Sequence, residues 1–187
     1  MMTDLETVGN AQISTSIKKY GTGALYFDGS GDYLQMASNS ALILGAGSAT
    51  VEFWVYPLAV DGYRRIVTST SGGFTSGDFV IRYNNGTFVA GSGNLNINSG
   101  TLPAANQWSH VAWVGVGGTA QTLYINGVSV GTAGAYSLTV PIQFVGGWYT
   151  LNTTEFFNGY IDELRVTKGV ARYTANFTPP TAPFNNQ

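Results

Sequence analysis

Short runs rich in β-branched and aromatic residues recur along the chain about every ten residues, and each ends at Gly, Asn or Asp. In residues 49–56 the alternation is strict. It places one set of side chains on one face of a strand (Val51, Phe53, Val55) and a second set on the other face (Glu52, Trp54, Tyr56). Asn84-Asn85-Gly86 separates two such runs and predicts a hairpin, because Asn and Gly adopt positive φ at low cost. The pattern predicts a β-sandwich or a β-barrel.

The composition supports a fold made of strands and tight turns. Charged residues make up only 10% of the chain, against roughly a quarter in an average soluble domain, and 25 residues are glycine. The net charge of −2 provides no basic surface for a phosphate backbone, so we expect no nucleic-acid partner. No apolar run is long enough to span a bilayer, so no membrane partner is expected either. Cysteine is absent, which excludes disulfides and thiolate metal sites.

Five sequence blocks occur in the order seen in one structural family. They are GTGALYFDG (21–29) followed by DYL (32–34), VEFWV (51–55), QWSHVA (107–112), LYING (123–127) and GYIDELRV (159–166). Together they resemble laminin-G-like, concanavalin A-like jelly rolls. The resemblance implies an all-β, two-sheet antiparallel jelly-roll sandwich in one domain. We expect an N-terminal arm over residues 1–9, the jelly roll over 10–177 and a proline-rich extended tail over 178–187.

The closing segment Arg165–Phe184 resembles the ending of such domains in bacteriophage virion proteins. This resemblance implies a virion surface or extracellular location, in a capsid decoration protein or a tail fibre. The implied partners are other virion proteins or copies of the chain itself. Members of this type usually carry a longer segment before the stretch resembling residues 10–15. Either the first strand is short here, or a neighbouring chain covers an exposed edge, and the second reading predicts a homo-oligomer.

The same fold also hosts glycoside hydrolases, which need two carboxylates facing each other across a cleft. Asp162 and Glu163 are the only adjacent acids in a predicted strand, and strict alternation would point them to opposite faces. Glu52 has no second acid at position 50 or 54. His110 is the only histidine, and we expect it to be a partly buried polar side chain. We therefore predict no catalytic residues and no enzyme activity.

Three acids are candidates for a calcium site, although no cofactor is required. Asp28 and Asp32 flank a glycine-rich turn, but Tyr33 and Asn39 stand where an EF-hand loop needs Gly and Glu. The alternative for this pair is a turn held by the Asp side chains. Asp162 is placed by strict alternation among core-facing residues, so it either accepts backbone N–H groups or binds Ca²⁺.

Two predicted loops combine aromatic rings with polar groups, as sugar binding by a sandwich requires. One contains Trp148, Tyr149 and Asn152, and the other contains Tyr63 and Arg64. The same residue types also serve protein–protein contacts, and Trp148 or Phe156 could instead cover the end of the core. The leading functional expectation is a non-catalytic virion surface module that acts by adhesion or subunit contacts. The alternatives are a lectin-like domain that binds a host glycan and, third, a glycoside hydrolase.

Overall fold

The computed structural model describes residues 5–69, 75, 77–92, 95–148 and 155–185. Those residues form fourteen strands and one short 3₁₀ turn, Ser40–Leu42. The first seven strands are β1 (Leu5–Val8), β2 (Gln12–Ser14), β3 (Ala24–Asp28), β4 (Tyr33–Met36), β5 (Ala49–Pro57), β6 (Tyr63–Ser69) and β7 (Phe79–Asn84). The others are β8 (Thr87–Ser92), β9 (Leu95–Ser99), β10 (Ser109–Val116), β11 (Ala120–Ile125), β12 (Val128–Ala133), β13 (Ile142–Val145) and β14 (Asn158–Lys168). Among the described residues, no helix is long and apolar enough to cross a membrane.

The strands pair into two antiparallel sheets that form a jelly-roll sandwich in one domain, as the sequence predicts. Sheet A has the order β1-β4-β13-β6-β7-β8-β9. Sheet B has the order β12-β11-β10-β5-β14-β3-β2. The predicted hairpin joins β7 to β8, and Asn85 and Gly86 both have positive φ. β1 is a strand of only four residues that pairs with β4, so part of the predicted N-terminal arm belongs to sheet A.

The core lies between the sheets, and β5 supplies its centre. Val51, Phe53 and Val55 are fully buried there, which confirms the predicted alternation. The Trp113 ring is also fully buried and makes edge-on contacts with Phe79. Its Nε1 donates a hydrogen bond of 3.0 Å to Gln121 Oε1, so the polar atom of the ring is satisfied inside the sandwich.

The alternation predicted for β14 is wrong beyond Asp162, because a β-bulge interrupts the strand. Asp162 lies opposite Trp54, but the next paired residue, Arg165, lies opposite Glu52. Glu163 sits in the bulge with φ of 52°. One extra residue in a bulge shifts the side chains that follow to the other face.

The bulge changes which face each β14 side chain occupies. Asp162 and Arg165 share the outer face of sheet B with Glu52, whereas Leu164 and Val166 pack against the core. Asp162 is therefore not a core-facing residue. Its carboxylate lies on the outside of the sandwich, where it meets the segment before β3.

The C-terminal segment crosses the outer face of sheet B after β14. Near its start, Thr50 Oγ1 donates to Val170 O and accepts from Arg172 N, at 2.9 and 3.0 Å. Further along, Phe177 N donates to Gly127 O. Tyr20 donates its hydroxyl to Pro180 O at 2.7 Å. The described residues after β14, up to residue 185, are thus docked on the sheet, including most of the proline-rich stretch that begins at residue 178.

We predict that Phe53→Ala lowers the free energy of unfolding by about 3–5 kcal/mol, because it leaves a cavity at the centre of the core. Leu58→Ala is the matched control, since Leu58 is 37% exposed. We expect its effect to stay within about 0.5 kcal/mol. Chemical denaturation followed by tryptophan fluorescence measures both. Similar losses for the two variants would contradict the assignment of Phe53 to the core.

Candidate functional site

The structure places Trp148 from the second predicted loop next to the start of β6, on the outer side of sheet A. Arg65 N donates to Glu155 O at 2.9 Å, and Arg65 forms an isolated bridge with Phe156. This bridge holds the segment that follows the second loop against the start of β6. Because Glu155 and Phe156 meet β6, side chains that are about ninety residues apart in sequence share one surface.

Arg65 is the centre of this surface. Its guanidinium carbon lies 4.1 Å from the centroid of the Trp148 ring, and its Nε donates to Glu155 Oε2. A guanidinium over an indole face is a favourable cation–π contact. Around Arg65 lie the other members of what we call the Arg65 surface: Tyr63, Arg64, Arg82, Trp148, Glu155 and Phe156.

The predicted residues of this surface differ in accessibility. Tyr63 is 47% exposed, and the guanidinium carbon of Arg82 lies 5.5 Å from its ring centroid. Trp148 is only 7% exposed, and its Nε1 has no hydrogen-bond partner among the described residues. Tyr149 and Asn152 lie outside the described residues. Their assignment to the site, like that of Trp148, stays a prediction.

Arg64 shapes the rim of the surface. Its Nε and Nη2 donate to Asp61 O and Asp61 Oδ1, both at 2.9 Å, and its Nη1 reaches Phe156 O at 3.3 Å. The hydrogen bond and charge of Arg64 hold the pKa of the exposed Asp61 carboxyl below its usual value. Burial, followed by the positive charge of Arg65, lowers the pKa of Arg82. Guanidinium pKa values are so high that Arg82 stays charged at neutral pH.

The Asp28–Asp32 turn is held by hydrogen bonds. Asp32 is fully buried and accepts backbone N–H groups from Asn10 and Asp28, at 2.8 and 2.9 Å. Asp28 accepts from Asn10 Nδ2 and Ser30 N, and these bonds lower its pKa. These hydrogen bonds correspond to the second reading of the sequence, in which the Asp side chains hold the turn.

Asp162 is also engaged by backbone groups. Its Oδ2 accepts from Lys19 N and Tyr20 N at 2.9 and 3.0 Å, and its Oδ1 accepts from Glu163 N. Within the described part of the chain, no three His, Asp or Glu side chains form a group that could hold a metal ion. Calcium binding by Asp28, Asp32 or Asp162 remains a prediction that a titration would test.

Sequence reasoning missed the role of Glu52, which is fully buried on the outer face of sheet B. Its Oε1 accepts from Arg165 Nη2 and Nε at 2.7 and 3.0 Å, and its Oε2 accepts from the Tyr173 hydroxyl at 2.8 Å. Arg172 Nε lies 3.6 Å away. A buried carboxylate requires such partners, because an unpaired charge in the interior is costly.

Aromatic rings enclose this carboxylate. His110 is fully buried, and its Nε2 lies 3.4 Å from Glu52 Oε2 in a geometry that falls short of a hydrogen bond. Tyr173 and Phe177 stack in parallel at 3.6 Å, and the Arg165 guanidinium carbon lies 3.9 Å from the Phe184 ring centroid. The sequence signal for this enclosure is the set of aromatic residues late in the chain, Tyr173, Phe177 and Phe184, whose rings pack on His110.

Burial by itself raises the pKa of Glu52, but contacts with His110, Tyr173 and Arg165 outweigh it and lower the pKa overall. Burial and the hydrogen bond to Glu52 raise the pKa of Tyr173, which keeps its phenol protonated as a donor. A carboxyl with a lowered pKa in the folded state stabilises the fold above its unfolded pKa. That contribution is lost as pH falls through the folded value.

We predict that Glu52→Gln lowers the free energy of unfolding at pH 7 by about 2–4 kcal/mol, because Arg165 loses its charged partner. The wild type should lose stability as pH falls below its unfolded Glu52 pKa near 4.5, and the variant should lose less over that range. Tyr173→Phe, which removes one hydrogen bond, should cost about 1 kcal/mol. Urea denaturation from pH 3 to 7 measures these differences. Parallel pH profiles for wild type and Glu52→Gln would contradict the assignment.

The comparisons with known proteins agree with the architecture. The family model described as the concanavalin A-like lectin/glucanases superfamily matches residues 28–172. No curated protein sequence matches the chain.

Solved structures show the same fold at low identity. The binding domain of Paraclostridial Mosquitocidal Protein 1 aligns with a TM-score of 0.64 at 14% identity, over 89% of this chain and 44% of that one. The botulinum neurotoxin serotype D binding domain aligns with a TM-score of 0.61 at 15% identity, over 89% of this chain and 43% of that one. A candidate carbohydrate binding protein from Bacteroides ovatus aligns with a TM-score of 0.57 at 17% identity, over 75% of this chain and 42% of that one. The chain spans less than half the length of each of these proteins.

Proposed function

We propose that this chain, which belongs to the concanavalin A-like lectin/glucanases superfamily, is a non-catalytic module that binds carbohydrate through the Arg65 surface. The observation that carries the proposal is the assembly of ring faces and guanidinium groups around Arg65. The half-exposed Tyr63 provides a ring for a sugar to stack on. Arg82 lies beside that ring, with its guanidinium carbon 5.5 Å from the ring centroid, where its N–H groups can orient hydroxyls.

The structural neighbours support a binding role. Two of them are binding domains of toxins, and a third is a candidate carbohydrate binding protein. Their low identity makes the fold the shared property, so the sugar specificity must come from this chain's own loops. Loops on a rigid sandwich are a common place for such specificity.

The acids of the outer face favour binding over hydrolysis. A glycosidase needs one carboxyl free to donate a proton and a second free to act on the sugar or on water. Because of the bulge, strict alternation no longer separates Asp162 from Glu163. The carboxylates of both residues, however, already accept hydrogen bonds. Asp162 accepts backbone N–H groups, and Glu163 Oε2 accepts from Phe184 N. Glu52 is enclosed by Arg165 and Tyr173.

A finer proposal places the module on a bacteriophage virion, on the capsid surface or on a tail fibre. It is supported by the resemblance of Arg165–Phe184 to the endings of virion modules. Adhesion to a host glycan would then be the task of the Arg65 surface. Locating the protein in purified virions by mass spectrometry and immunogold labelling tests the placement, and its absence from the particle would overturn it.

We predict that Tyr63→Ala weakens binding to the recognised glycan about tenfold, a loss of about 1.4 kcal/mol, because the stacking ring is removed. The glycan is first identified on an array of bacterial and algal polysaccharides and then titrated by calorimetry. Trp148→Phe should weaken binding less, since it keeps a ring beneath Arg65.

Val128→Ala is the control, because Val128 is 53% exposed on the edge strand β12 of sheet B. It should leave affinity unchanged. Binding that survives in Tyr63→Ala and is lost in Val128→Ala would move the site to the other sheet. The absence of binding to every polysaccharide, or release of reducing ends from one of them, would reject the proposal.

A further inference from the structure

The second half of β14 has an open edge. β3 pairs with β14 only from Asn158 to Ile161, whereas β5 pairs with the opposite side of β14 both before the bulge, at residues 159–162, and after it, at residues 165–168. The β3 pairing therefore ends before the bulge, and β5 alone continues along β14 beyond it. Among the described residues, no strand pairs with residues 163–168 on the β3 side. A strand edge of this kind presents unpaired N–H and C=O groups.

A cavity of about 750 Å³ lies beside this edge. Six consecutive residues of β14, 163–168, form one wall, and Pro183, Phe184 and Asn185 of the C-terminal segment form another. We call this cavity the β14 slot. Six residues of extended chain span about 20 Å, so the wall is as long as an ordinary strand.

The two faces of the slot differ in chemistry. Leu164 and Val166 point toward the core but are only partly buried. On the outer face lie Arg165 and Arg172, and Lys168 stands exposed at the end of the strand. Three of the eight basic residues of the chain therefore line one slot.

Part of this positive charge is available to a ligand. Arg165 donates Nε and Nη2 to Glu52, which leaves Nη1. Arg172 donates Nε to Thr167 Oγ1, and its two terminal nitrogens form no hydrogen bond with the described residues. The acid in the slot, Glu163, is engaged by Phe184 N. Guanidinium groups with spare donors bind carboxylates strongly.

We propose that the β14 slot binds an extended segment of another protein as an added strand, and that apolar and acidic residues alternate in this segment. The backbone of residues 163–168 supplies the hydrogen bonds, as in other cases of strand addition. Alternate side chains of the guest pack on Leu164 and Val166, and the intervening acids meet Arg165 and Arg172. Six consecutive strand residues along one wall favour a peptide over a sugar.

The guest is a different protein rather than a second copy of this chain. Within this chain the pattern of alternating acids and apolar residues occurs at Asp4-Leu5-Glu6. Leu5 and Glu6 belong to β1, which is already paired with β4. A second copy would have to give up that pairing before its first strand could enter the slot.

A hexapeptide of alternating Val and Glu, capped at both ends, tests the proposal by titration into ¹⁵N-labelled protein. We expect amide shift changes at residues 163–168 and 183–185 and slower hydrogen exchange of β14 amides. A peptide with Lys in place of Glu should bind at least tenfold more weakly because it meets like charge. A Val–Glu peptide N-methylated at alternate residues should lose most of its affinity, since strand addition depends on main-chain hydrogen bonds.

Two variants that change the net charge equally distinguish the effect of a charge in the β14 slot from the effect of net charge on peptide binding. Lys168→Gln removes a cation from the slot, whereas Asn98→Asp adds an acid on the exposed side of β9 in sheet A. We expect Lys168→Gln to weaken binding of the Val–Glu peptide about threefold and Asn98→Asp to leave it unchanged. Equal binding of the Glu and Lys peptides, unaltered binding after N-methylation, or shift changes elsewhere would overturn the proposal.

The same amide spectra also test whether a second copy of this chain, rather than another protein, enters the β14 slot. Shift changes at residues 163–168 that grow with protein concentration in the absence of peptide, together with a doubled mass in light scattering, would also overturn it. Neither result bears on glycan binding, which depends on the opposite sheet. Failure here and failure of the carbohydrate proposal are therefore distinguishable.

Discussion

The ion pair between Glu52 and Arg165 organises the outer face of sheet B. Glu52 is the buried member, and burying a carboxylate is unfavourable unless charged and polar groups surround it. β14 supplies Arg165, and the C-terminal segment supplies Tyr173 and Arg172. The packing of Tyr173 and Phe177 across the sheet follows from this arrangement. The C-terminal segment is thus held on sheet B by the charged group around Glu52 as well as by apolar contacts.

Local patterns predicted much of the sandwich. The alternation through Val51, Phe53 and Val55 placed the core, because a strand has a strict two-residue period. The Asn85-Gly86 hairpin was predictable for a similarly local reason, the tolerance of these residues for positive φ. These features depend on a few neighbours along the chain, so the sequence alone contains the necessary information.

The bulge at Glu163 could not be predicted from local sequence patterns. It requires a non-glycine residue at positive φ, and no glycine or proline marks it. Its stability comes from partners distant in sequence, since Lys19 and Tyr20 donate to Asp162 and Glu52 binds Arg165. The burial of Glu52 was unpredictable for a related reason, because the segment that covers it is more than a hundred residues away. At the Arg65 surface the sequence pointed to two loops with aromatic and polar residues, but it did not indicate that Arg65, rather than Arg64, lies over Trp148.

The docked C-terminal segment has a mechanical consequence. A force applied at its end first meets side-chain contacts, such as that of Phe184 with Arg165, and then the hydrogen bonds of Tyr173 and Thr50. These contacts are loaded one after another, whereas the backbone bonds between β14 and β5 are loaded only after the segment has peeled away. An attachment made through this end would therefore lengthen under tension while the sandwich stays folded, so that the segment acts as an extensible tether.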